Sequence, residues 1–426
     1  MSMIGIAFVA AGALIFIVIL LQSVMALQTS AKHYLTDRDQ RDLGVHLLKN
    51  KIEAMKAMHL ENKKSQENTW TGFRKFKVET KPEGGGITSA YLRPHDGGKL
   101  PPFKPGQYLT FQLKLPGEEK PLIRCYSLSD GVSEDYYRVS VKKVPPPRDK
   151  PELPPGKSSS FFNDVLKTGD LLDVKAPAGP FFLEPRDQFP VVLIGGGIGI
   201  TPVYSMLKTL CDIDSEREVW FFYGVRNGAE AVYKQELKDI AKKHANVRMN
   251  ICYSKPGDSD VQGEDYQHSE RVSIDLFKRV LPSNNYSYYL CGPPPLMATV
   301  VPGLEEWGVP EKKIHFEAFG PATVKKKKKP EAGTAADKPK AAGFKVKFSQ
   351  SDKEVEWNPE FDSILDFAEE NDLTMSSGCR VGNCGTCMIA VKSGEFEYAN
   401  EPSFEADSGS CLACVAIPKG PIEIDA

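Results

Sequence analysis

The feature that most constrains this chain is a cluster of cysteines in its C-terminal part. Of nine cysteines in 426 residues, five fall between positions 379 and 414, whereas the other four are scattered singly. A disulfide framework needs an even, distributed set of cysteines, and clustered thiols are typical of metal ligation in a reducing compartment. This part of the chain is therefore expected to fold around a group of thiolates.

Three of the clustered cysteines have the spacing Cys-x4-Cys-x2-Cys and are separated by glycines. Cys379, Cys384 and Cys387 form this pattern, which is typical of three ligands in a plant-type [2Fe-2S] centre. A more distant cysteine must supply the fourth ligand, and both Cys411 and Cys414 are available. The spacing predicts a [2Fe-2S] site with its last ligand in the segment 411–414.

A zinc ribbon is the competing interpretation of the same cysteines. The pairs 384/387 and 411/414 are both Cys-x2-Cys, which is the spacing of structural zinc sites. Zinc binding by these two pairs would leave Cys379 without a role, however. The glycine-rich first loop also favours the iron-sulfur interpretation, because small residues let backbone amides turn towards the sulfurs.

The N-terminal end carries a long apolar run. Residues 1–31 contain no charged side chain, and the run is long enough to cross about 30 Å of hydrocarbon as a helix. A cleaved signal peptide is the alternative, but the basic n-region is missing. Basic residues follow the run and none precedes it. The sequence therefore predicts a single-pass anchor in the inner membrane, a lipid bilayer as a partner and the folded domains on the cytoplasmic side.

The remaining composition indicates a multidomain globular protein. A length of 426 residues exceeds what one core usually supports, and the formal net charge of −2 provides no basic field for nucleic acid. We therefore expect no nucleic-acid partner. Residues 32–69 are charged and have apolar positions at near-helical spacing, which predicts a helical spacer, with a helix on the membrane surface as the alternative.

The texture of the sequence changes twice more along the chain. Residues 70–186 contain short alternating runs between Gly and Pro, which predict an antiparallel β-barrel. Residues 187–321 alternate buried strands with helical stretches, which predicts an α/β domain with a parallel sheet. Residues 322–343 hold five consecutive lysines and are predicted to be a disordered linker. Residues 344–426 form the cysteine-bearing domain.

Two segments of the predicted barrel carry groups that suit a flavin. Arg124-Cys125-Tyr126-Ser127 presents a cation, an aromatic ring and a hydroxyl, which can neutralise a phosphate, stack on the ring system and hydrogen-bond its edge. The stretch from Gly156 to Phe162 begins with a glycine and three serines, so a helix N-terminus there could bind phosphate. Each segment alone is weak, since such tetrapeptides usually lie in ordinary surface strands.

A glycine-rich loop follows the buried strand 191–194. The run from Gly195 to Pro202 reads GGGIGITP, so bare amides can approach a pyrophosphate at a helix N-terminus. Its spacing departs from G-x-G-x-x-G, because Ile200 stands where the third glycine would be, and no acidic residue closes the next strand. A dehydrogenase domain of the usual dinucleotide-binding type is therefore disfavoured.

Together these segments resemble the ferredoxin-NADP reductase superfamily. In that family an R-x-Y-S strand binds the flavin and a G-x-x-S helix start binds the FAD pyrophosphate, so the resemblance favours FAD over FMN. The flavin-site residues that it implies are Arg124, Tyr126, Ser127, Gly156 and Ser159. The nucleotide-site residues that it implies, from the G-G-x-G-x-T-P and C-G-P-P motifs, are Gly196, Gly197, Gly199, Thr201, Pro202, Cys291 and Gly292.

The same resemblance assigns the remaining site residues. Glu317 and Phe319 match an E-x-F-G ending that places an aromatic ring near the flavin and nicotinamide. The helical stretch from Ser363 to Asn371 is similar to the β-grasp helix of ferredoxins, and the family's last cluster ligand corresponds to Cys414, with Cys411 as the alternative. The implied catalytic residues are Tyr126, Ser127, Cys291 and Glu317.

The domain order is similar to that of the reductase components of bacterial oxygenases. It implies an enzyme that passes electrons from NADH, favoured over NADPH, through FAD to the [2Fe-2S] centre and then to an acceptor protein such as an oxygenase. The N-terminal apolar run is instead similar to the flavin subunit of the sodium-translocating NADH:quinone reductase, although the domain order differs. The alternative is therefore an electron-input or assembly subunit of a membrane respiratory complex that reduces quinone.

Overall fold

A computed structural model describes most of the chain. The described residues are 20–25, 27–28, 45, 49, 52, 56, 69–118, 121–146, 150–319, 343–373, 375–378, 380, 382, 385–399, 402, 404 and 406–426. The chain divides into two compact units, Met1–Glu67 and Asn68–Ala426. The described residues of the first unit are helical. The strands found among the described residues belong to the second unit.

The transmembrane helix predicted for residues 1–31 is not found. In the part of the chain that the structure describes, no helix is both long and apolar enough to cross a bilayer. Residues 1–19, 26 and 29–31 of the predicted span lie outside the described residues. This component of the predicted fold class is therefore wrong.

The second unit begins with a six-stranded antiparallel barrel. Its strands, in chain order, are β1 (Arg74–Gly84), β2 (Ile87–Pro94), β3 (Tyr108–Leu113), β4 (Leu122–Ser127), β5 (Tyr137–Lys142) and β6 (Leu171–Val174). Their spatial order is β4-β3-β6-β1-β2-β5, and a bridge between Leu128 and Val139 joins the two edge strands. A helical turn α1 (Lys157–Ser160) and a π-helical turn (Phe161–Val165) lie between β5 and β6. The predicted β-barrel is confirmed.

A parallel sheet follows the barrel. Its strands are β7 (Val191–Gly196), β8 (Val219–Val225), β9 (Val247–Tyr253), β10 (Ser287–Gly292) and β11 (Ile314–Ala318). The helices between them are α2 (Ile200–Asp212), α3 (Lys234–Lys243), α4 (Ile274–Val280) and α5 (Pro294–Glu306). Alternate residues of β7 pack into two separate core clusters, because helices cover both faces of the sheet. The predicted α/β domain is confirmed.

The strand order of this sheet determines where a ligand can bind. The order is β11-β10-β7-β8-β9, and all pairs are parallel. The chain proceeds from β7 to β9 on one side and from β10 to β11 on the other, so the direction reverses between β7 and β10. In open α/β sheets, ligands bind at the carboxyl ends of strands at such a reversal. The ends of β7 and β10, Gly196 and Gly292, mark this crevice.

The C-terminal domain is a small mixed sheet with one helix. Its elements are β12 (Lys345–Phe348), β13 (Lys353–Glu356), α6 (Ile364–Glu370), β14 (Met388–Ser393), β15 (Phe396–Tyr398), β16 (Ser410–Leu412), β17 (Ala416–Pro418) and β18 (Ile422–Ile424). The main sheet has the order β13-β12-β18-β14-β16, with β12 and β18 parallel. Ser363 caps α6 by accepting the N–H of Asp366 at 3.1 Å. The predicted β-grasp fold is confirmed.

The predicted domain boundaries remain predictions. The strands of each sheet fall within the ranges 70–186, 187–321 and 344–426, but nothing else fixes the ends of those ranges. The helical spacer predicted for 32–69 lies almost wholly outside the described residues, and the linker 322–343 does so except for Gly343.

Candidate functional site

Three of the predicted catalytic residues meet where the barrel contacts the parallel sheet. Cys291 and Glu317 are register partners on the adjacent strands β10 and β11, so both lie at the carboxyl edge of the sheet. Ser127 ends β4 of the barrel, and its side chain hydrogen-bonds the Glu317 carboxyl group. A hydroxyl, a thiol and a carboxyl from two domains therefore share one small volume.

Burial controls the protonation of this group. Desolvation raises the pKa of Glu317 to about 8, although the hydrogen bond from Ser127 lowers it. Burial also raises the pKa of Cys291, and the neighbouring Glu317 carboxylate raises it further. Low-dielectric surroundings disfavour the charged form of both groups. At neutral pH the site therefore presents a protonated carboxyl and a protonated thiol.

The Glu317 side chain also has an unused hydrogen-bonding atom. The residue is partly exposed, yet its Oε2 atom is buried and has no hydrogen-bond partner among the described groups. Buried polar atoms without partners are rare in native proteins and need an explanation, such as a missing ligand. The observation fits a polar cofactor group in the crevice beside Ser127.

The predicted glycines bring two loops into direct contact. A Cβ on Gly199 would overlap the backbone of Cys291, and a Cβ on Gly196 would lie 2.6 Å from Leu296 Cδ2. A Cβ on Gly292 would lie 3.1 Å from Gly196 Cα. Gly199 is therefore required by packing between the ends of β7 and β10, whereas a larger residue at position 196 would need the Leu296 side chain to move and one at position 292 would need its neighbours to move by a few tenths of an ångström. Gly197 is different, because its φ is +55° and nothing lies within 4 Å of an added Cβ.

The other nucleotide-loop residues shape the turn. Thr201 donates its hydroxyl to the Ile198 carbonyl at 3.0 Å, and Pro202 is buried in the first turn of α2. Phe319 is partly buried against the core cluster that contains Cys291, and its N–H points to the Gly292 carbonyl at 3.4 Å. The structure thus places the seven residues predicted for the nucleotide site, from Gly196 to Pro202 and at Cys291 and Gly292, around the ends of β7 and β10. Their contacts with a nucleotide remain predictions.

On the barrel side, the aromatic ring predicted to face the flavin is anchored by its hydroxyl. Tyr126 is hydrogen-bonded to Ser158 Oγ at 2.6 Å. Its ring packs edge-on against Phe162 at 4.9 Å and Phe111 at 5.8 Å between centroids. Arg124, two residues earlier, is half-buried, and the pKa of its guanidinium is lowered by burial and by the nearby charge of Arg380.

The predicted phosphate-binding turn is built differently from the sequence expectation. Ser159 is already satisfied, since its hydroxyl accepts the Val144 N–H at 3.0 Å and donates to the Gly156 carbonyl at 2.9 Å. Gly156 is required there because a Cβ would lie 2.8 Å from Ser159 Oγ. Ser160 Oγ, by contrast, is buried without a partner among the described groups. Ser158 and Ser160 were missed because a run of three serines does not reveal their directions.

In the C-terminal domain, two predicted metal ligands lie together. The sulfurs of Cys387 and Cys414 are 3.1 Å apart, close enough for two thiolates to bind one metal ion at about 2.3 Å each. Cys379 and Cys384 lie outside the described residues. The positive φ of Gly382 (+74°) and Gly385 (+68°) shows why glycines occupy this loop. The thiol pair fits the predicted centre.

The alternative fourth ligand is placed less favourably. Cys411 lies within β16, paired with Ile389 of β14, and is fully buried. Burial raises the pKa of its thiol to about 12, and the nearby Cys387 contributes in the same direction. A metal ligand must be a thiolate. Cys414, which follows the strand and contacts Cys387, therefore suits ligation better than Cys411 does.

The sequence matches three families with known cofactors. The family described as an oxidoreductase FAD-binding domain matches residues 94–183, an oxidoreductase NAD-binding domain matches 193–301, and a 2Fe-2S iron-sulfur cluster binding domain matches 346–419. A solved FAD/NAD-binding domain of nitric oxide dioxygenase from Vibrio cholerae O1 biovar El Tor is 33% identical, with a TM-score of 0.52. The match covers the whole of that domain and 59% of this chain. The chain belongs to the ferredoxin-NADP reductase superfamily.

Two further relatives match different lengths of this chain. The flavohemoprotein of Bacillus anthracis is 39% identical over 270 residues, and the chain spans 66% of the length of that relative. Phthalate dioxygenase reductase, a modular structure for electron transfer from pyridine nucleotides to [2Fe-2S], is 25% identical with a TM-score of 0.50. That match covers 85% of this chain and 99% of the reductase.

The cofactors of this superfamily member follow from these matches. The chain is an NAD(P)H-dependent flavin and iron-sulfur oxidoreductase, with FAD, a nicotinamide nucleotide and a [2Fe-2S] cluster as cofactors. The predictions of family, enzyme class and cofactors are confirmed.

Proposed function

We propose that this protein oxidises NADH and delivers electrons one at a time to an acceptor protein. The observation that carries the proposal is the meeting of Ser127, Cys291 and Glu317 at the carboxyl edge of the parallel sheet. When bound, FAD supplies the chemistry that accepts an electron pair and releases single electrons. A [2Fe-2S] centre carries one electron, so the three domains supply the required series.

The residues at this junction have distinct tasks in the proposal. Ser127 and Glu317 present hydroxyl and carboxyl groups at an edge where a proton or hydride acceptor would be hydrogen-bonded. The buried, neutral Cys291 thiol fills space and keeps water and charge away from the reacting face. The contact between the two glycine loops leaves a nucleotide little freedom to shift.

A preference for NADH over NADPH is part of the proposal. In dinucleotide-binding folds, an acidic residue after the second strand hydrogen-bonds the ribose and disfavours a 2′-phosphate. The second strand here, β8, is followed by Arg226 rather than by an acid. Asp260, from the loop after β9, accepts the Gly228 N–H at 3.1 Å and the Gly257 N–H at 2.7 Å, so an acid lies beside the turn that follows β8. This acid was invisible in the sequence because it is 32 residues away from Gly228.

An oxygenase-type protein is the acceptor that we propose. The support is the match of phthalate dioxygenase reductase over nearly its whole length, including the C-terminal [2Fe-2S] domain. The alternative acceptor is quinone, as in an electron-input subunit of a respiratory complex. The predicted position of the folded domains on the cytoplasmic side also stays a prediction, and it is consistent with NADH as the donor.

Anaerobic titration of the full chain with NADH tests the proposal. After reconstitution with FAD, iron and sulfide, we expect NADH to bleach both the flavin and the iron-sulfur absorption, and NADPH to do so at much higher concentration. Bleaching of the flavin alone would contradict the proposed electron series. Cytochrome c and a soluble quinone are then compared as acceptors, and faster reduction of the quinone would favour the alternative.

A further inference from the structure

Arg138 is a buried cation at the contact between the barrel and the nucleotide domain. It lies on β5, and its side chain is 2% exposed. A buried guanidinium is costly unless it is paired and hydrogen-bonded. The partners that offset this cost come from both domains.

On the barrel side, Arg138 holds the segment that follows Ser127. Its Nε donates to the Ser129 carbonyl at 3.0 Å and lies 3.4 Å from the Asp130 carboxylate. Ser129 is two residues after Ser127, which ends β4. The position of the Ser127 backbone is therefore coupled to the Arg138 side chain through a very short stretch of chain.

On the nucleotide side, Arg138 contacts residues of α2 and of the start of α3. Its guanidinium carbon lies 4.6 Å from the Tyr233 ring centroid and 5.4 Å from that of Tyr204. Its Nη1 lies 3.6 Å from Glu236 Oε1. Tyr204 is on α2, which begins directly after the turn Gly197–Gly199. The same guanidinium thus reaches the helix that carries the nucleotide loop.

Direct hydrogen bonds between the domains surround these contacts. Tyr233 donates its hydroxyl to Ser140 Oγ at 2.6 Å, and Ser205 donates to the Asp130 carbonyl at 2.6 Å. Tyr233 also has a left-handed backbone with φ of +58°. Such a conformation in a bulky residue is strained and persists only where surrounding contacts enforce it. The joint is therefore a specific arrangement and not a loose contact between two surfaces.

We propose that Arg138 is a positioning residue that fixes the distance between Ser127 in the barrel and the nucleotide loop at the start of α2. This inference rests on the proposed NADH-dependent function and deepens it. A planar guanidinium can bridge a carbonyl, a carboxylate and two aromatic rings at once, whereas a lysine ammonium is a point charge without that geometry. Without the Arg138 guanidinium, the barrel and the nucleotide domain would be able to shift slightly relative to each other.

The expected consequence is slower hydride transfer without loss of cofactors. A displacement of about 1 Å between reacting groups can cost on the order of 100-fold in rate. We therefore expect Arg138→Met to lower the single-turnover rate of flavin reduction at saturating NADH by roughly that factor. We expect Arg138→Lys, which keeps the charge, to recover part of the rate. Electron transfer from photoreduced flavin to the iron-sulfur centre should stay unchanged in both variants.

Arg74→Lys is a control that is matched to the conservative variant Arg138→Lys. Arg74 also combines a carboxylate and two aromatic rings, since it binds Asp96 at 2.8 Å and lies 5.3 Å from Trp70 and 5.8 Å from Phe76. All of these partners belong to the barrel. The Arg74→Lys variant should be less stable than the wild type but should show the same rate of flavin reduction, because the partners of Arg74 lie in the barrel and not in the nucleotide domain.

A measurement on the flavin-free chain separates positioning from catalysis. In Arg138→Met, hydrogen-deuterium exchange should rise in residues 129–131 and 204–212, whereas in Arg74→Lys it should rise only in the barrel. Unchanged exchange and an unchanged flavin-reduction rate in Arg138→Met, with an active wild type, would overturn the inference. An equal fall in flavin reduction in Arg74→Lys would do so as well. A wild type that NADH does not reduce would instead overturn the proposed function.

Discussion

Two regions of this protein use buried cysteine in opposite ways. Cys291 lies at the carboxyl edge of the parallel sheet, where burial and the adjacent Glu317 raise the pKa of its thiol. Cys387 and Cys414 are also buried, but their sulfurs are 3.1 Å apart, as two ligands of one metal ion would be. The Cys291 thiol keeps its proton, whereas the thiols of Cys387 and Cys414 must be deprotonated before they can bind iron.

The difference shows that burial alone does not define what a cysteine does. The Cys291 thiol beside a carboxyl group stays neutral and fills space, whereas two thiols whose sulfurs are in contact, as in Cys387 and Cys414, can bind a metal ion once they are deprotonated.

The largest effect is expected at the cluster. Cys414→Ser or Cys387→Ser should abolish iron binding and the visible absorption of the centre, because each removes a thiolate. NADH-driven reduction of cytochrome c should then fall to background while ferricyanide reduction continues from the flavin. Iron analysis and the two assays measure this. Cys411→Ser is the control, and a loss of iron in that variant would show that Cys411 is the ligand.

Substitution at Glu317 should affect only the hydride step. Glu317→Gln keeps the shape and a hydrogen-bond donor but removes the titrating proton, so flavin reduction by NADH should slow by on the order of 100-fold. The pH profile provides the sharper readout. The pKa of Glu317 is about 8 in the flavin-free chain, so the rate of flavin reduction by wild-type protein should change with pH across the alkaline range. In stopped-flow measurements, the rate of the Glu317→Gln variant should not show this pH dependence. An identical profile in both proteins would exclude Glu317 as the titrating group.

Cys291 should matter less than Glu317. Cys291→Ala removes a neutral, space-filling group, so we expect flavin reduction to fall by about tenfold, with an unchanged iron content. The comparison predicts opposite results for the same substitution at Cys414. A loss of the iron-sulfur spectrum in Cys291→Ala would break the distinction between the two regions.

The smallest effect is on stability as a function of pH. The pKa of Glu317 rises from 4.5 in the unfolded chain to about 8 in the folded protein, so the folded state binds more protons between these values. Stability therefore falls as the pH rises through this window and stays low above it. In the flavin-free chain, Glu317→Gln should gain on the order of 1–3 kcal/mol relative to wild type between pH 5 and pH 9. Melting temperatures at several pH values test this, and a constant difference would contradict the burial of Glu317.

Sequence patterns predicted the fold well where local signals were complete. The apolar run from Val191 to Ile194 followed by glycines could be interpreted as a buried strand and a phosphate-type loop, and the structure has β7 and a tight turn there. The cysteine spacing likewise indicated a [2Fe-2S] domain, which the family match over residues 346–419 confirms. The N-terminal apolar run predicted a transmembrane helix, whereas no helix of the described residues is long and apolar enough to span a bilayer.

Residues that act across domains could not be found in this way. Arg138 stands among apolar residues of β5, and strand alternation alone would direct it to solvent. The sequence does not reveal that the nucleotide domain covers that face. Asp260 was missed for the same reason, since it contacts Gly228, which is 32 residues away. Glu317 was identified through family resemblance, and its raised pKa depends on burial that only the structure supplies.

The contact between the loops at Gly196, Gly199 and Gly292 has an evolutionary consequence. Since a Cβ on any of these positions would meet the opposite loop, neither loop can acquire a larger residue unless the other retreats. Homologues that differ here should therefore change both loops together, and a variant library randomised at one loop should recover function only when compensating changes arise in the other.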